Sequence, residues 1–248
     1  MEFVKMHGLG NDFVVFEGPA SWSADQVAAI CNRRTGVGAD GILIVTNLDD
    51  NQVRMEYWNA DGSVAEMCGN GLRCVARFAI DKGWLDPAGG RVLTAVGALA
   101  VAPVGDGRYR VQIGQPAVGE EFGHELTFRR VSVGNPHAVT FVEDVGVAPV
   151  ETLGSDLEQA TPGGTNVEFA QPTAAGIRVR TWERGVGETN ACGTGAVATA
   201  VAARAAGLAG DQVTILLIGG PLVVELDGPD AFITGPAEYV FSGTTELI

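Results

Sequence analysis

The sequence predicts an α+β fold of two pseudo-symmetric lobes that arose by internal duplication. Each lobe is expected to be a curved, mostly antiparallel sheet wrapped around a central helix, with the active site in the cleft between them. Three observations predict this. Cys68-Gly69-Asn70-Gly71 and Cys192-Gly193-Thr194-Gly195 share the pattern Cys-Gly-x-Gly, 124 residues apart in a chain of 248. The same offset carries Gly10-Asn11 onto Gly134-Asn135, Val53-Arg54-Met55 onto Ile177-Arg178-Val179, and Trp58 onto Trp182. Further on the offset drifts by a few residues, yet Gly97 still answers Gly220, and Ile113-Gly114-Gln115-Pro116-Ala117 answers Ile233-Thr234-Gly235-Pro236-Ala237. A period this long belongs to a duplicated domain, not a solenoid. The expected division is 1–117 for the lobe with Cys68 and 118–248 for the lobe with Cys192, the last residues being able to pack on the first lobe.

The elements follow in order. Residues 2–6 and 12–16 read as strands broken by Gly8, Gly10 and Asn11. Ser23 is placed to cap a helix running to about Arg33. Strands near 42–46 and 53–58 precede a helix from Cys68 to about Lys82, stopped by Gly83. Strands near 91–103 and 108–113 turn at Gly105-Asp106-Gly107. The second half repeats this with strands near 127–133 and 138–142, a helix near 150–159, and strands near 165–170 and 176–182. A helix from about Gly193 to Ala206 and a hairpin turning at Asp227-Gly228 complete it. The run Ala196–Ala203 is apolar nearly all round, and a helix without a polar face is buried.

Composition narrows the function. With 46% hydrophobic and 19% charged residues the chain is of ordinary globular type. A net charge of −14 argues against nucleic acid and anionic membrane surfaces as partners. No apolar run is long enough for a transmembrane helix, and the first residues, Met1-Glu2-Phe3-Val4-Lys5, do not form a signal peptide. A cytoplasmic setting, where thiols stay reduced, is the expectation.

The chemistry rests on the two cysteine turns. A cysteine at a helix start sees the positive end of the dipole and unpaired backbone N–H groups, which can lower a thiol pKa from about 8.5 to roughly 3.5–7.5. Flanking glycines leave those N–H groups open to a carboxylate. A thiolate on one side of a carbon and a thiol on the other can invert a stereocentre, and two helix starts can stabilise the enolate-like charge between proton transfers. Cys31 and Cys74 read as small buried hydrophobes. No zinc site is expected, since there is no C-x-x-C and only His7, His124 and His137 are available. Gly36-Val37-Gly38-Ala39-Asp40-Gly41 fits G-x-G-x-x-G but precedes a strand, so it reads as a turn and not a dinucleotide site. Only Lys5 and Lys82 could form a pyridoxal Schiff base, and neither is near a cysteine motif in sequence. No cofactor is expected.

At these residues the chain resembles the diaminopimelate epimerase family, over nearly its whole length. The resemblance is carried by Lys5–Phe13, Asn59–Ser63, Met67–Cys74, Gly134–His137, Asn166-Val167 and Trp182–Gly195. It implies a cofactor-independent interconversion of LL- and meso-diaminopimelate in the synthesis of lysine and peptidoglycan precursors. Cys68 and Cys192 would be the acid–base pair, Cys192 accepting and Cys68 donating in the LL-to-meso direction, with His137 and Glu183 tuning the thiols. Gly69-Asn70 and Gly193-Thr194 would hold the α-carboxylate. Asn11, Asn59, Asn135, Asn166, Glu183 and Arg184 would hold the rest of the substrate, Arg184 by gripping a distal carboxylate. Some family members carry glutamine where this chain has Gly41. The family usually forms homodimers, and Tyr239-Val240-Phe241 could serve that interface or be a core strand. A racemase of another amino acid, such as a proline racemase-like enzyme, and a thiol-redox protein remain the alternatives. A phenazine-pathway isomerase relative shares the fold but lacks the cysteine pair.

Overall fold

A computed structural model describes residues 1–65, 67–123 and 125–246. Glu66, two residues before Cys68, and His124, weighed above as a metal ligand, lie outside them. The chain forms two compact units, one of Met1–Val111 with Gly235–Ile248 and the other of Gln112–Thr234.

In the first unit β1 (Glu2–Gly8) and β2 (Asn11–Glu17) are antiparallel neighbours joined at Leu9-Gly10, both at positive φ. Helix α1 (Ala24–Cys31) begins at a full capping box, in which Ser23 accepts from the Gln26 backbone and the Gln26 side chain accepts from the Ser23 N–H. It packs Val27 and Ile30 onto Phe16, Ile42 and Ile44. β3 (Gly41–Asn47) runs parallel to β2, as the α1 crossover allows, and antiparallel to β4 (Gln52–Asn59). The short β5 (Val64–Ala65) folds back on β4. Helix α2 (Gly69–Asp81) then starts at Cys68 and lies against β1, β3 and β4. β6 (Gly90–Thr94), β7 (Gly97–Gly105) and β8 (Arg108–Gly114) form a meander whose first strand runs parallel to β4. The stretch near 91–103 is therefore a hairpin and not one strand. It reverses at Ala95-Val96, where Thr94 pairs with Gly97 at φ 122°.

The second unit repeats this order. β9 (Ala117–Gly123), β10 (Thr127–Ser132) and β11 (Pro136–Phe141) are antiparallel neighbours, and β11 runs parallel to β12 (Asn166–Thr173). Helix α3 (Val150–Ala160) makes that crossover and packs Leu153 and Leu157 near Phe128 and Phe169. β13 (Gly176–Glu183) pairs antiparallel with β12 and with the short β14 (Gly187–Thr189). Helix α4 (Gly193–Ala205) starts at Cys192 and is buried from Gly195 through Ala203, as its apolar circumference requires. β15 (Gln212–Leu217), β16 (Gly220–Asp227) and β17 (Asp230–Pro236) repeat the meander, with β15 parallel to β13. The last strand, β18 (Glu238–Thr244), pairs with β1 in the first unit just as β9 pairs with β10 in the second.

Registers carry the repeat to single residues. Val53 and Arg54 face Val92 and Leu93, and Ile177 and Arg178 face Ile215 and Leu216. Phe13 faces Gly41, and His137 faces Asn166.

Candidate active site

In the first unit, four of the five expected site residues gather at the start of α2. Asn11 opens β2, and its side-chain N–H donates to Asp40 at 2.8 Å. Its Oδ1 accepts from Asn70 at 3.2 Å and from the Cys68 thiol at 3.6 Å. Cys68 is the N-cap of α2, and Gly69 and Asn70 are its first turn. Arg73, one turn on and fully buried, donates to Asn70 Oδ1 at 2.9 Å and to the carbonyls of Gly69 and Pro236. Asn59 ends β4 in a separate turn, donating to Ser63 Oγ at 2.9 Å.

The Gly36–Gly41 turn has a structural use. Lys5 is buried, donates to the Gly38 carbonyl and pairs with Asp12 at 2.5 Å, while Arg33 bridges Asp12 and Asp40. Burial alone would raise the Asp12 pKa, but hydrogen bonds from Arg33 and Lys5 outweigh it and hold the carboxyl at about 2. Asp40, fixed from this side, presents its other oxygen to Asn11. A Cβ at Gly41 would meet the Trp58 carbonyl at 2.4 Å and the Tyr57 ring at 2.7 Å, so a longer side chain there needs the β4 backbone to move.

In the second unit the expected residues form a denser set. Asn135 follows Gly134, at φ 85°, and faces Thr194 Oγ1 at 3.4 Å. His137 on β11 is buried between Asn135 Oδ1, 3.0 Å from Nε2, and Glu168 Oε1, 2.8 Å from Nδ1. Asn166 opens β12; it donates to the Pro136 carbonyl and accepts from the Arg184 backbone N–H, both at 3.0 Å. The Arg184 side chain is exposed and donates to the Gly163 carbonyl at 3.1 Å. Glu183 ends β13, accepts from Thr189, and hydrogen-bonds the Cys192 thiol. Cys192 caps α4, its sulfur accepting from the Gly195 N–H at 3.4 Å and lying 3.5 Å from Thr194 Oγ1.

The electrostatics of Cys192 differ from the helix-start expectation. Its pKa is pushed well above the ordinary thiol value, first by burial and then by the charges of Glu183 and Glu168. The bonds from Thr194 and Gly195 act the other way and are outweighed. Burial also raises Glu183. A thiol and a carboxyl both raised, and bonded to each other, can share one proton: when Glu183 takes it, Cys192 becomes a thiolate. Burial places the Cys31 thiol at about 11 and the Cys74 thiol at about 12, which suits the inert reading of both.

Two buttressing residues escaped the sequence reading. Glu168 looks like one polar position in a strand, and only its register beside β11 buries it against His137. Glu158 accepts from Trp182 Nε1 and from the Gly185 N–H, each at 2.7 Å, and so supports the loop that carries Arg184. Neither carries a sequence signal of its own: the β11–β12 register places Glu168, and the packing of α3 on β13 places Glu158. All four cysteines are thiols. Among the described residues no group of three or more His, Cys, Asp or Glu is arranged to hold a metal ion, and no helix is long and apolar enough to cross a membrane.

Known proteins resemble this chain in sequence and in fold. The sequence profile of the family described as diaminopimelate epimerase matches residues 3–118 and 129–240. The diaminopimelate epimerase of Alkalilimnicola ehrlichii is 43% identical over 277 aligned residues, covering 100% of this chain and 99% of that protein. That of Methanocella arvoryzae is 38% identical, covering 100% and 97%. Among solved structures, a phenazine biosynthesis protein of the PhzF family from Bacillus anthracis superposes with a TM-score of 0.78 at 15% identity, covering 98% of each chain. A hydroxyproline epimerase from Agrobacterium vitis gives 0.72 at 19%, covering 99% of this chain and 90% of that one. These structural likenesses show the duplicated two-lobe fold. The sequence likenesses show more: this chain, an isomerase, belongs to the diaminopimelate epimerase family.

Proposed function

We propose that the protein interconverts LL- and meso-2,6-diaminopimelate without a cofactor, in the synthesis of lysine and peptidoglycan precursors. The observation that carries this reading is the pair of Cys-Gly-x-Gly helix starts, one per unit, each set in a net of asparagines suited to an amino-acid substrate. The N–H groups of Gly69-Asn70 and Gly193-Thr194 bind the α-carboxylate. Asn11, Asn59, Asn135, Asn166 and Arg184 bind the remaining polar ends, Arg184 by a two-point grip on the distal carboxylate.

In the LL-to-meso direction the Cys192 proton passes to Glu183. The resulting thiolate removes the Cα proton, and the C–H electron pair is held as an enediolate by the helix-start N–H groups. Cys68 then gives its proton to the opposite face of the carbon and is left as the thiolate. The reverse reaction exchanges the roles of the two thiols. His137 is assigned to tuning this proton traffic.

The working form is proposed to be a cytoplasmic homodimer. Exposed Tyr239, Val240 and Phe241 on β18 support the dimer, and the need for reduced thiols supports the compartment. The deciding experiment incubates the reduced protein with LL-diaminopimelate in D₂O, following α-proton loss by NMR and the meso product by chiral chromatography. Exchange and product, both abolished in Cys68→Ser and Cys192→Ser, are expected. No exchange in strong reductant would overturn the substrate assignment.

A further inference from the structure

The repeat supplies an internal control for one buried pair. In the first unit Phe13 faces Gly41 across β2 and β3, and Leu43 follows two residues later opposite Val15. In the second unit His137 faces Asn166, and Glu168 follows two residues later opposite Val139. Each second residue lies under the last glycine of its cysteine turn. A Cβ on Gly71 would meet Leu43 at 3.1 Å, and one on Gly195 would meet Glu168 Oε1 at 2.7 Å. All four side chains are buried. The same architecture therefore closes around Phe13 and Leu43 in one unit and around His137 and Glu168 in the other. Burying a carboxylate costs several kcal/mol in general, and an apolar pair of similar volume often serves stability as well or better. One oxygen, Glu168 Oε2, even lacks a hydrogen-bond partner among the described residues. Folding of this motif does not need the polar pair, so its use is sought in the chemistry.

We propose that Glu168 is a positioning residue for the reaction: it holds His137 with a proton on both ring nitrogens and thereby sets the direction of a hydrogen-bond chain ending on the Cys192 sulfur. This deepens the epimerase reading and rests on it. A carboxylate only accepts, so His137 Nδ1 donates to it at 2.8 Å. His137 Nε2 faces Asn135 Oδ1 at 3.0 Å and donates there. The Asn135 amide N–H groups then point at Thr194 Oγ1, 3.4 Å away. With its oxygen accepting from Asn135, Thr194 keeps its one proton for Cys192 Sγ at 3.5 Å. A hydroxyl and the Gly195 N–H both donating to sulfur favour the thiolate, the form required for proton removal. A neutral ring with its one proton on Nδ1 would accept at Nε2, reverse Asn135 and turn the Thr194 proton away from the sulfur. The charge that Glu168 brings near Cys192 is offset by the histidine it binds.

The test uses the full chain labelled with ¹⁵N-histidine and three proteins: the parent, Glu168→Gln and the double variant His137→Phe/Glu168→Leu, which installs the first unit's own pair. In the parent, both ring nitrogens of His137 are expected to be protonated, with Nδ1 strongly hydrogen-bonded. Glu168→Gln is expected to lower kcat at least tenfold with KM within twofold, and to shift the His137 nitrogen signals. The double variant is expected to fold with an unreduced Tm and to lose turnover. A ring protonated on only one nitrogen in the parent would overturn the proposal, even should every variant fail to fold. So would Glu168→Gln with parental kcat. Absence of turnover in the parent would instead overturn the epimerase reading, and the histidine signal would still decide what Glu168 does to the ring.

Discussion

Asp40 accepts the Asn11 side-chain N–H at 2.8 Å, and this bond decides which end of the Asn11 amide meets Cys68. Because a carboxylate cannot donate, the amide nitrogen must face Asp40 and the amide oxygen must face the thiol. Cys68 thus sees an acceptor at 3.6 Å, while Cys192 sees the Gly195 N–H as a donor at 3.4 Å. Both thiols have an acceptor in reach, Asn11 Oδ1 for Cys68 and Glu183 for Cys192, and Cys192 has the Gly195 N–H as a donor as well. An acceptor suits a thiol that holds its proton until it is delivered. A donor suits a sulfur that must become a thiolate.

Asp40→Asn lets the Asn11 amide turn over. Asp40 is 42% exposed at its side chain, so the fold is expected to survive. Losing one aligned hydrogen bond to a charged group costs about 1.5–3 kcal/mol. Turnover is expected to fall by about tenfold or somewhat more, with thermal stability little changed, since one decade in rate is about 1.4 kcal/mol. Steady-state kinetics beside a thermal melt check this. Parental kinetics would show that Asn11 keeps its orientation without Asp40.

Arg73 makes a stability prediction. Its guanidinium is fully buried, makes no ion pair with a carboxylate among the described residues, and is pulled down to about 10 by burial. It spends its donors on Asn70 Oδ1 and on the carbonyls of Gly69 and Pro236, tying the start of α2 to the end of β17. Lysine keeps the charge but not the planar fork. Each buried acceptor left unmet costs about 1–3 kcal/mol. Arg73→Lys is expected to lose roughly 2–4 kcal/mol in urea unfolding. A loss below 1 kcal/mol would mean that lysine satisfies the same carbonyls.

The pH dependence of stability has two signs. Burial raises Glu183, so the folded state binds that proton more tightly than the unfolded state. Its contribution is fully present below the ordinary carboxyl value of about 4.3 and is lost as pH climbs through the raised value. Asp12 acts oppositely. Held at about 2, it stabilises above its ordinary value and loses that contribution as pH falls towards 2. Urea unfolding of the parent and of Glu183→Gln at pH 4 to 8 is the check. The parent is expected to lose stability relative to the variant as pH rises. Parallel curves would mean that Glu183 is not raised.

Much of this was legible in the sequence, for physical reasons that also mark where legibility stops. Ser23 with Gln26 announces α1, and the apolar run Ala196–Ala203 announces a buried α4, because capping and burial leave residue-type signatures. β9 was invisible: nearly all of it is exposed, so no alternation marks it. The turn at Ala95-Val96 was missed because neither residue favours a turn, and Gly97 alone supplies the positive φ. The cysteines, their glycines and the asparagines stood out as matched motifs. Glu168 did not, since its partner His137 is 31 residues away and only parallel register brings them together. Matching the halves by contact as well as by identity reveals it, because Leu43 occupies its place in the first half.

The two cysteine turns offer a paired test of that asymmetry. A methyl on Gly195 would lie 2.7 Å from Glu168 Oε1, 3.2 Å from Cys192 Cβ and 3.3 Å from its sulfur. A methyl on Gly71 would lie 3.1 Å from Leu43 Cδ2 and 3.6 Å from Cys68 Cβ. Both glycines sit in the first turn of a helix, where alanine is the better helix former by about 1 kcal/mol. Leu43 can yield by a small rotation of its terminal methyls. Glu168 cannot, because His137 holds the oxygen that the methyl strikes. Gly71→Ala is therefore expected to keep most of its stability and measurable turnover. Gly195→Ala is expected to lower Tm and to cut turnover at least a hundredfold, because the displaced carboxylate takes the histidine and the sulfur setting with it. Thermal melts and α-proton exchange in D₂O on both variants decide it, and equal losses in the two would mean that the helix starts respond to crowding alone.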